Sequence, residues 1–127
     1  MPKRIFIIAG EASGDVYGAS LIEALQKIAP DVEIAGLGGD RMAATGMRFL
    51  YNLVREFSVM GLIPVILGIP KVMRFLEIIL DDFHTHRPDL VVLIDYPGFN
   101  LYLATFTKRR KIPTVYYVTP QIWAWAP

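Results

Sequence analysis

The stretch IFIIAGEASGD, residues 5–15, decides the reading of the fold. Its first five residues are all apolar, with β-branched Ile5, Ile7 and Ile8 among them. A strand with one face in water alternates apolar and polar residues. A run that is apolar throughout fits a strand covered on both faces, which is the habit of parallel sheets. The run then breaks into small and polar residues, Gly10-Glu11-Ala12-Ser13-Gly14-Asp15. Such a change marks a turn from strand into helix, with Ser13 or Asp15 available to cap it.

Outward from this stretch the same composition returns at residues 33–37, 90–94 and 114–118. Helical spacing lies between these runs. Leu21, Leu25 and Ile28 share one face; Val72, Leu76, Ile79, Leu80 and Phe83 form a longer stripe; Phe99, Leu103 and Phe106 form a third. Pro30, Pro88 and Pro113 each stand just before an expected strand and end the preceding helix. Strand alternating with helix predicts an α/β fold: a Rossmann-like, doubly wound parallel sheet of four or five strands. With no repeat, linker or low-complexity tract, residues 1–127 read as one domain.

Bulk properties narrow the function. The chain is 54% apolar with a mean hydropathy of +0.40, greasier than the 45–50% apolar content usual in soluble domains. A net charge of +1 offers no electrostatic footprint for nucleic acid. With no cysteine, disulfides and thiolate chemistry are excluded, and a reducing cytoplasm is compatible. The first apolar run is too short for the apolar region of a signal peptide. The two longest uncharged stretches, 57–70 and 112–127, fall short of the ~18 residues that span a bilayer. His84 and His86 have metal-like spacing but no cysteine and no clear third ligand, so no metal is expected.

In open α/β sheets ligands bind beyond the carboxyl ends of the strands. The unusual residues collect after the expected strands: Gly10–Asp15, then Gly38-Gly39-Asp40-Arg41-Met42, then Asp95-Tyr96-Pro97-Gly98-Phe99-Asn100, and last Thr119-Pro120-Gln121-Ile122-Trp123-Ala124-Trp125. Four loops should therefore converge on one edge of the sheet. The first is neither a Walker A loop nor a dinucleotide fingerprint, but amides at its helix start can hold a phosphate or a sugar hydroxyl. Gly38-Gly39 is a turn or the approach to a ligand, and Arg41 beyond it is placed to pair with a phosphate. Trp123 and Trp125 either pack on the core or stack on a sugar or acyl chain. Asp95 ends an apolar strand in a partly desolvated place, which sharpens a carboxylate as a base; capping the following helix is its other reading. Asn100 brings an amide back to the same spot. The basic run Lys108-Arg109-Arg110-Lys111 offsets a helix dipole or meets anionic lipid.

The motifs AGEASGD (9–15), GLGGDRM (36–42), VMGLIPVI (59–66), IDYPGFN (94–100) and TPQIWAW (119–125) together resemble the bacterial lipid-A-disaccharide synthases, glycosyltransferases of two-domain GT-B architecture. The resemblance spans essentially the whole chain. It implies transfer of 2,3-diacylglucosamine from its UDP ester to the 6-hydroxyl of 2,3-diacylglucosamine 1-phosphate, giving a β-1′,6 disaccharide and UDP. No cofactor is implied. The chain would be the N-terminal, acceptor-side half, with the C-terminal UDP-binding domain absent and the isolated chain inactive; a standalone phospho-sugar or lipid-binding module, or one subunit of a split enzyme, is the alternative. Inversion at the anomeric centre calls for a base. The resemblance points to Asp95, with Glu11 and Asp15 orienting hydroxyls or substituting for it. Ser13, Gly14, Gly38, Gly39, Arg41, Asn100, Gln121 and Trp123 are the expected substrate contacts. Met60, Leu62, Ile63, Val65, Ile66 and Ile69, followed by Lys71 and Arg74, are the expected interfacial segment, which puts the protein on the cytoplasmic side, peripheral on the inner membrane. Relatives commonly follow the Trp-Ala-Trp segment with Arg; Ala126 stands there instead, which removes any phosphate contact at that position.

Overall fold

The computed structural model describes residues 2–60, 65–95 and 97–117. Five parallel strands, β1 (Arg4–Ala9), β2 (Glu33–Gly38), β3 (Arg48–Asn52), β4 (Leu90–Ile94) and β5 (Thr114–Tyr117), form one sheet in the order β3-β2-β1-β4-β5. The connections are α1 (Ala12–Ile28), α2 (Asp40–Ala43), α3 (Leu53–Met60), α4 (Val65–Thr85) and α5 (Pro97–Arg109). Central β1 sits between β2 and β4, with Ile7 opposite Gly36 on one side and Val92 on the other.

Both faces of the sheet are buried, which is why β1 and β4 carry no polar side. Ile7, Ala9, Val92 and Ile94 pack with Ala19, Ile22 and Met42 beneath α1. Phe6, Ile8, Leu37, Val91 and Leu93 pack on the opposite side with Phe57, Phe75, Ile79, Phe83, Phe99 and Leu103 from α3, α4 and α5. Phe57 meets Phe75 and Phe99 at centroid distances of 5.7 and 5.6 Å, joining these three helices. Phe6 meets Phe83 edge-on at 4.8 Å.

Three expectations need revision. The four apolar runs are strands, but β3 was not among them: RFLYN lies at the sheet edge, where partial exposure replaces the apolar run with mixed residues. On α1, Leu21 and Leu25 pack half-buried against the core as expected, but the fully buried face lies beside them and Ile28 is not part of it. That face runs through Gly14, Asp15, Gly18, Ala19 and Ile22, while Ile28 is 79% exposed. Small residues let α1 lie close on the sheet, so its tightest contact is its least hydrophobic stripe. Finally, α4 begins at Val65, ahead of the stripe that starts at Val72, and runs through Gly68 and Pro70. Pro70 forfeits one helical hydrogen bond near the amino end.

Candidate functional site at the switch point of the sheet

From β1 the chain steps outward to β2 and β3, then returns across the sheet to β4 and β5. The direction reverses between β1 and β4, and the crevice beyond their carboxyl ends is where open α/β sheets take their ligands. The loops after β1, β2 and β4 meet on this edge. The fourth expected loop, with Gln121 and Trp123, lies outside the described residues.

The first turn of α1 is seated on the two strand ends. A Cβ at Gly14 would lie 3.2 Å from Ile94 Cγ2 and 3.3 Å from Ala9 Cβ, so only glycine sits this close without displacing either neighbour. Glu11 is the N-cap of α1 in an extended conformation, and its side chain makes no capping bond. Its carbonyl accepts from Asp15 N–H at 3.0 Å. Both the Glu11 and Ser13 side chains are exposed on this edge.

Asp15 does not cap α1. It is buried, and its carboxylate reaches the loop after β2: Oδ1 accepts from Gly39 N (2.8 Å) and Met42 N (3.0 Å), Oδ2 from Arg41 N (2.9 Å). Gly39 is the N-cap of α2 and has no side chain to do this, so Asp15 performs the N-cap function from another helix. The geometry explains Gly38-Gly39. A Cβ on Gly39 would sit 2.6 Å from Asp15 Oδ2, and one on Gly38 would sit 2.3 Å from Met42 Sδ. The pair is dictated by close approach to Asp15 and Met42, not by a positive φ.

Beside this clamp, Asp40 accepts from Asn52 Nδ2 at 2.8 Å and from Arg55 at 3.2 Å. Arg55 is thereby engaged. The Arg41 guanidinium is exposed and has no partner among the described residues, which leaves it available to an anion at the edge of the crevice.

Across the crevice, Asp95 is buried and takes a left-handed backbone conformation, φ 46°. Its N–H donates to Tyr117 O at 2.9 Å. Its carbonyl accepts from the Asn100 amide and from the Tyr116 hydroxyl, the latter at 3.2 Å. Asn100 Nδ2 also donates to Ile94 O at 3.1 Å, so one buried amide ties down the end of β4. Asn100 is thus a bracket for the turn. Tyr116 was not anticipated; its place at the end of an edge strand hides it among residues that read as core. Burial raises its pKa above the ordinary value, and the nearby Asp95 and then Glu11 carboxylates push it further the same way. Both carboxylates therefore lie close enough to Tyr116 for their fields to be felt.

The expected interfacial residues are only partly described. Leu62 and Ile63 lie outside the described residues; of Met60, Val65 and Ile66 only the helical backbone is described. Ile69 is 51% exposed, with Met73 one turn along at 46%. Lys71 between them pairs with Glu56 at 2.9 Å. No helix among the described residues is long and apolar enough to cross a membrane. In the basic run, Arg110 folds back over the Phe106 ring, 5.8 Å from its centroid.

A cavity of about 200 Å³ opens at the opposite edge, among Arg4, Glu33, Arg48, His86 and Pro88. Its arginines are already matched: Arg4 pairs with Glu33 at 2.9 Å, and Arg48 grips Asp82 at 2.6 and 2.9 Å. Asp82 also faces His86 at 3.5 Å. This is a seam of mutually satisfied charges at the strand starts, away from the switch point.

The model of the lipid-A-disaccharide synthetase family matches residues 5–127. The chain is 44% identical over 124 residues to a lipid-A-disaccharide synthase of Myxococcus xanthus, covering 98% of this chain and 32% of that protein. It is 47% identical over 121 residues to the one from Granulibacter bethesdensis, covering 95% and 30%. The chain thus spans about a third of the length of the curated relatives it matches. Among solved structures, the glycotransferase of kitacinnamycin superposes with a TM-score of 0.61 over 93% of this chain and 31% of that one, at 14% identity, a likeness of fold alone.

Proposed function

The chain belongs to the lipid-A-disaccharide synthase family, and from that premise we propose that it forms the acceptor side of an inverting glycosyltransferase of lipid A biosynthesis. The reaction moves 2,3-diacylglucosamine from its UDP ester to the 6-hydroxyl of 2,3-diacylglucosamine 1-phosphate. The rest of the family's length supplies most of the surface for UDP.

What carries this reading is the place of Asp95: buried, at the carboxyl end of β4, at the switch point of the sheet. Displacement at the anomeric carbon requires the acceptor hydroxyl to lose its proton as the new bond forms, and a positioned carboxylate takes it. Asp95 is the base in this scheme. Glu11, exposed and with no capping role, orients a hydroxyl. Asp15 leaves the list of bases, because its two oxygens are held by three backbone N–H groups. Arg41 meets the 1-phosphate. Ser13 and the amides near Gly14 contact sugar hydroxyls, with Gln121 and Trp123 completing the acceptor pocket. Ile69, Met73 and the preceding apolar segment rest on the inner-membrane surface from its cytoplasmic side, where both acylated substrates reside.

The test is Asp95→Asn, assayed with the remaining two thirds of the family's length present in cis or in trans. Loss of a general base lowers turnover by about 10²–10⁴-fold, with acceptor affinity changed much less. A capping role instead predicts near-normal turnover and a stability loss of about 0.5–2 kcal/mol. Turnover within a few-fold of wild type would remove Asp95 as the base.

A further inference from the structure

We infer that Tyr116 is a positioning residue for this reaction: its hydroxyl, with the Asn100 amide, locks the left-handed turn at Asp95 from which the base projects. The inference rests on the reading of Asp95 as the base.

A positive φ is sterically disfavoured for a residue with a Cβ, although aspartate tolerates it better than most. Such a conformation persists only where its surroundings over-determine it. Around Asp95 they do. The N–H is tied to Tyr117 O, and the carbonyl is held from two sides, by Asn100 Nδ2 and by Tyr116 Oη. The two donors come from different elements, α5 and β5. Each is itself anchored: Asn100 is buried and also holds Ile94 O, while Tyr116 is half-buried and packs against the core cluster that includes Phe99 and Leu103.

The hydroxyl is separable from the packing. Removing it leaves the ring in place but frees one side of the Asp95 carbonyl, so the turn can relax toward negative φ and swing the Cα–Cβ bond. A base must lie within hydrogen-bond reach of the proton it takes. A misplacement of about 1 Å costs up to roughly 10²-fold in rate. Tyr116 therefore acts on the chemistry through Asp95, without touching the reacting atoms.

The experiment is Tyr116→Phe beside Asp95→Asn, in the enzyme completed by the rest of the family's length. Tyr116→Phe is expected to lower kcat about 10-fold with KM changed less than about 2-fold, the signature of an effect felt in the transition state. In the 127-residue chain, exchange of the Asp95 amide hydrogen should quicken as its bond to Tyr117 O loosens. Wild-type kcat in Tyr116→Phe, where Asp95→Asn is inactive, overturns this inference and leaves the base intact. A raised KM with unchanged kcat overturns it too, since the hydroxyl would then be binding substrate. An Asp95→Asn enzyme that still turns over removes the base reading, and this inference falls with it. A Tyr116→Phe protein that fails to fold also counts against it, because a hydroxyl whose task is positioning is not needed for packing.

Discussion

Asp15 Oδ1 lies 2.8 Å from the backbone nitrogen of Gly39, and through this contact one helix caps another. The loop after β1 and the loop after β2 are thereby fixed to each other. Whatever Arg41 and Glu11 contact, their backbones are held in a common frame by one buried carboxylate.

Asp15→Ala leaves the N–H groups of Gly39, Arg41 and Met42 without their acceptor. Hydrogen bonds to a charged group contribute about 1.5–3 kcal/mol, so a loss of about 2–3 kcal/mol is expected. Asp15→Asn keeps one acceptor oxygen and should lose less. Denaturant unfolding of the two variants checks this order, and equal stability of Asp15→Ala and wild type would refute the clamp.

Gly39→Ala drives a methyl group into the Asp15 carboxylate. Overpacking of this kind costs about 1–3 kcal/mol. The cost should shrink when Asp15 is already alanine, because the obstructing carboxylate is gone. A double-mutant cycle is expected to show coupling of about 0.5 kcal/mol or more; strict additivity would mean the glycine is required for another reason.

Arg41→Ala should weaken the phosphorylated acceptor while sparing a dephospho analogue. The guanidinium is unpaired in the described structure, so no partner is stranded by its removal, and stability should stay within about 0.5 kcal/mol of wild type. Equal loss of affinity for both ligands would exclude a phosphate contact.

Replacing Ile69 and Met73 with serine removes two exposed apolar side chains from one face of α4. Binding to anionic vesicles should fall, with folding preserved because neither residue is buried. Retention of full vesicle binding by the folded double variant would assign membrane contact elsewhere.

Tyr116 gives a pH signature. Its folded pKa is raised, first by burial and then by Asp95 and Glu11, so the fold favours the protonated phenol. That contribution is fully present below the ordinary tyrosine value and is lost as pH rises through the raised one. As pH rises above about 10, wild type should therefore lose more stability than Tyr116→Phe, as followed by unfolding midpoints. Parallel alkaline curves for the two proteins would contradict a raised pKa at the half-buried Tyr116.

Much of the site was legible because strand ends are visible in a sequence. Where an apolar run gives way to Gly10-Glu11 or to Asp95, the chain leaves the sheet, and parallel strands bring such exits to one edge. Roles within the site were less legible. Asp15 looked like a base or a cap for its own helix; its partners stand 24 to 27 residues away. Tyr116 carried no signal, since a tyrosine in a β-rich run reads as core.

The sequence by itself determined the α/β class, four of the five strands and the edge on which the loops gather, because these follow from local periodicity and from where apolar runs stop. Only the tertiary structure decided the reversal between β1 and β4, the face on which α1 packs, and the division of labour among the carboxylates. Those depend on which distant backbone groups a side chain meets. Asp15 is buried against three amides, while Glu11, four residues earlier, faces outward; no property of either residue alone distinguishes them.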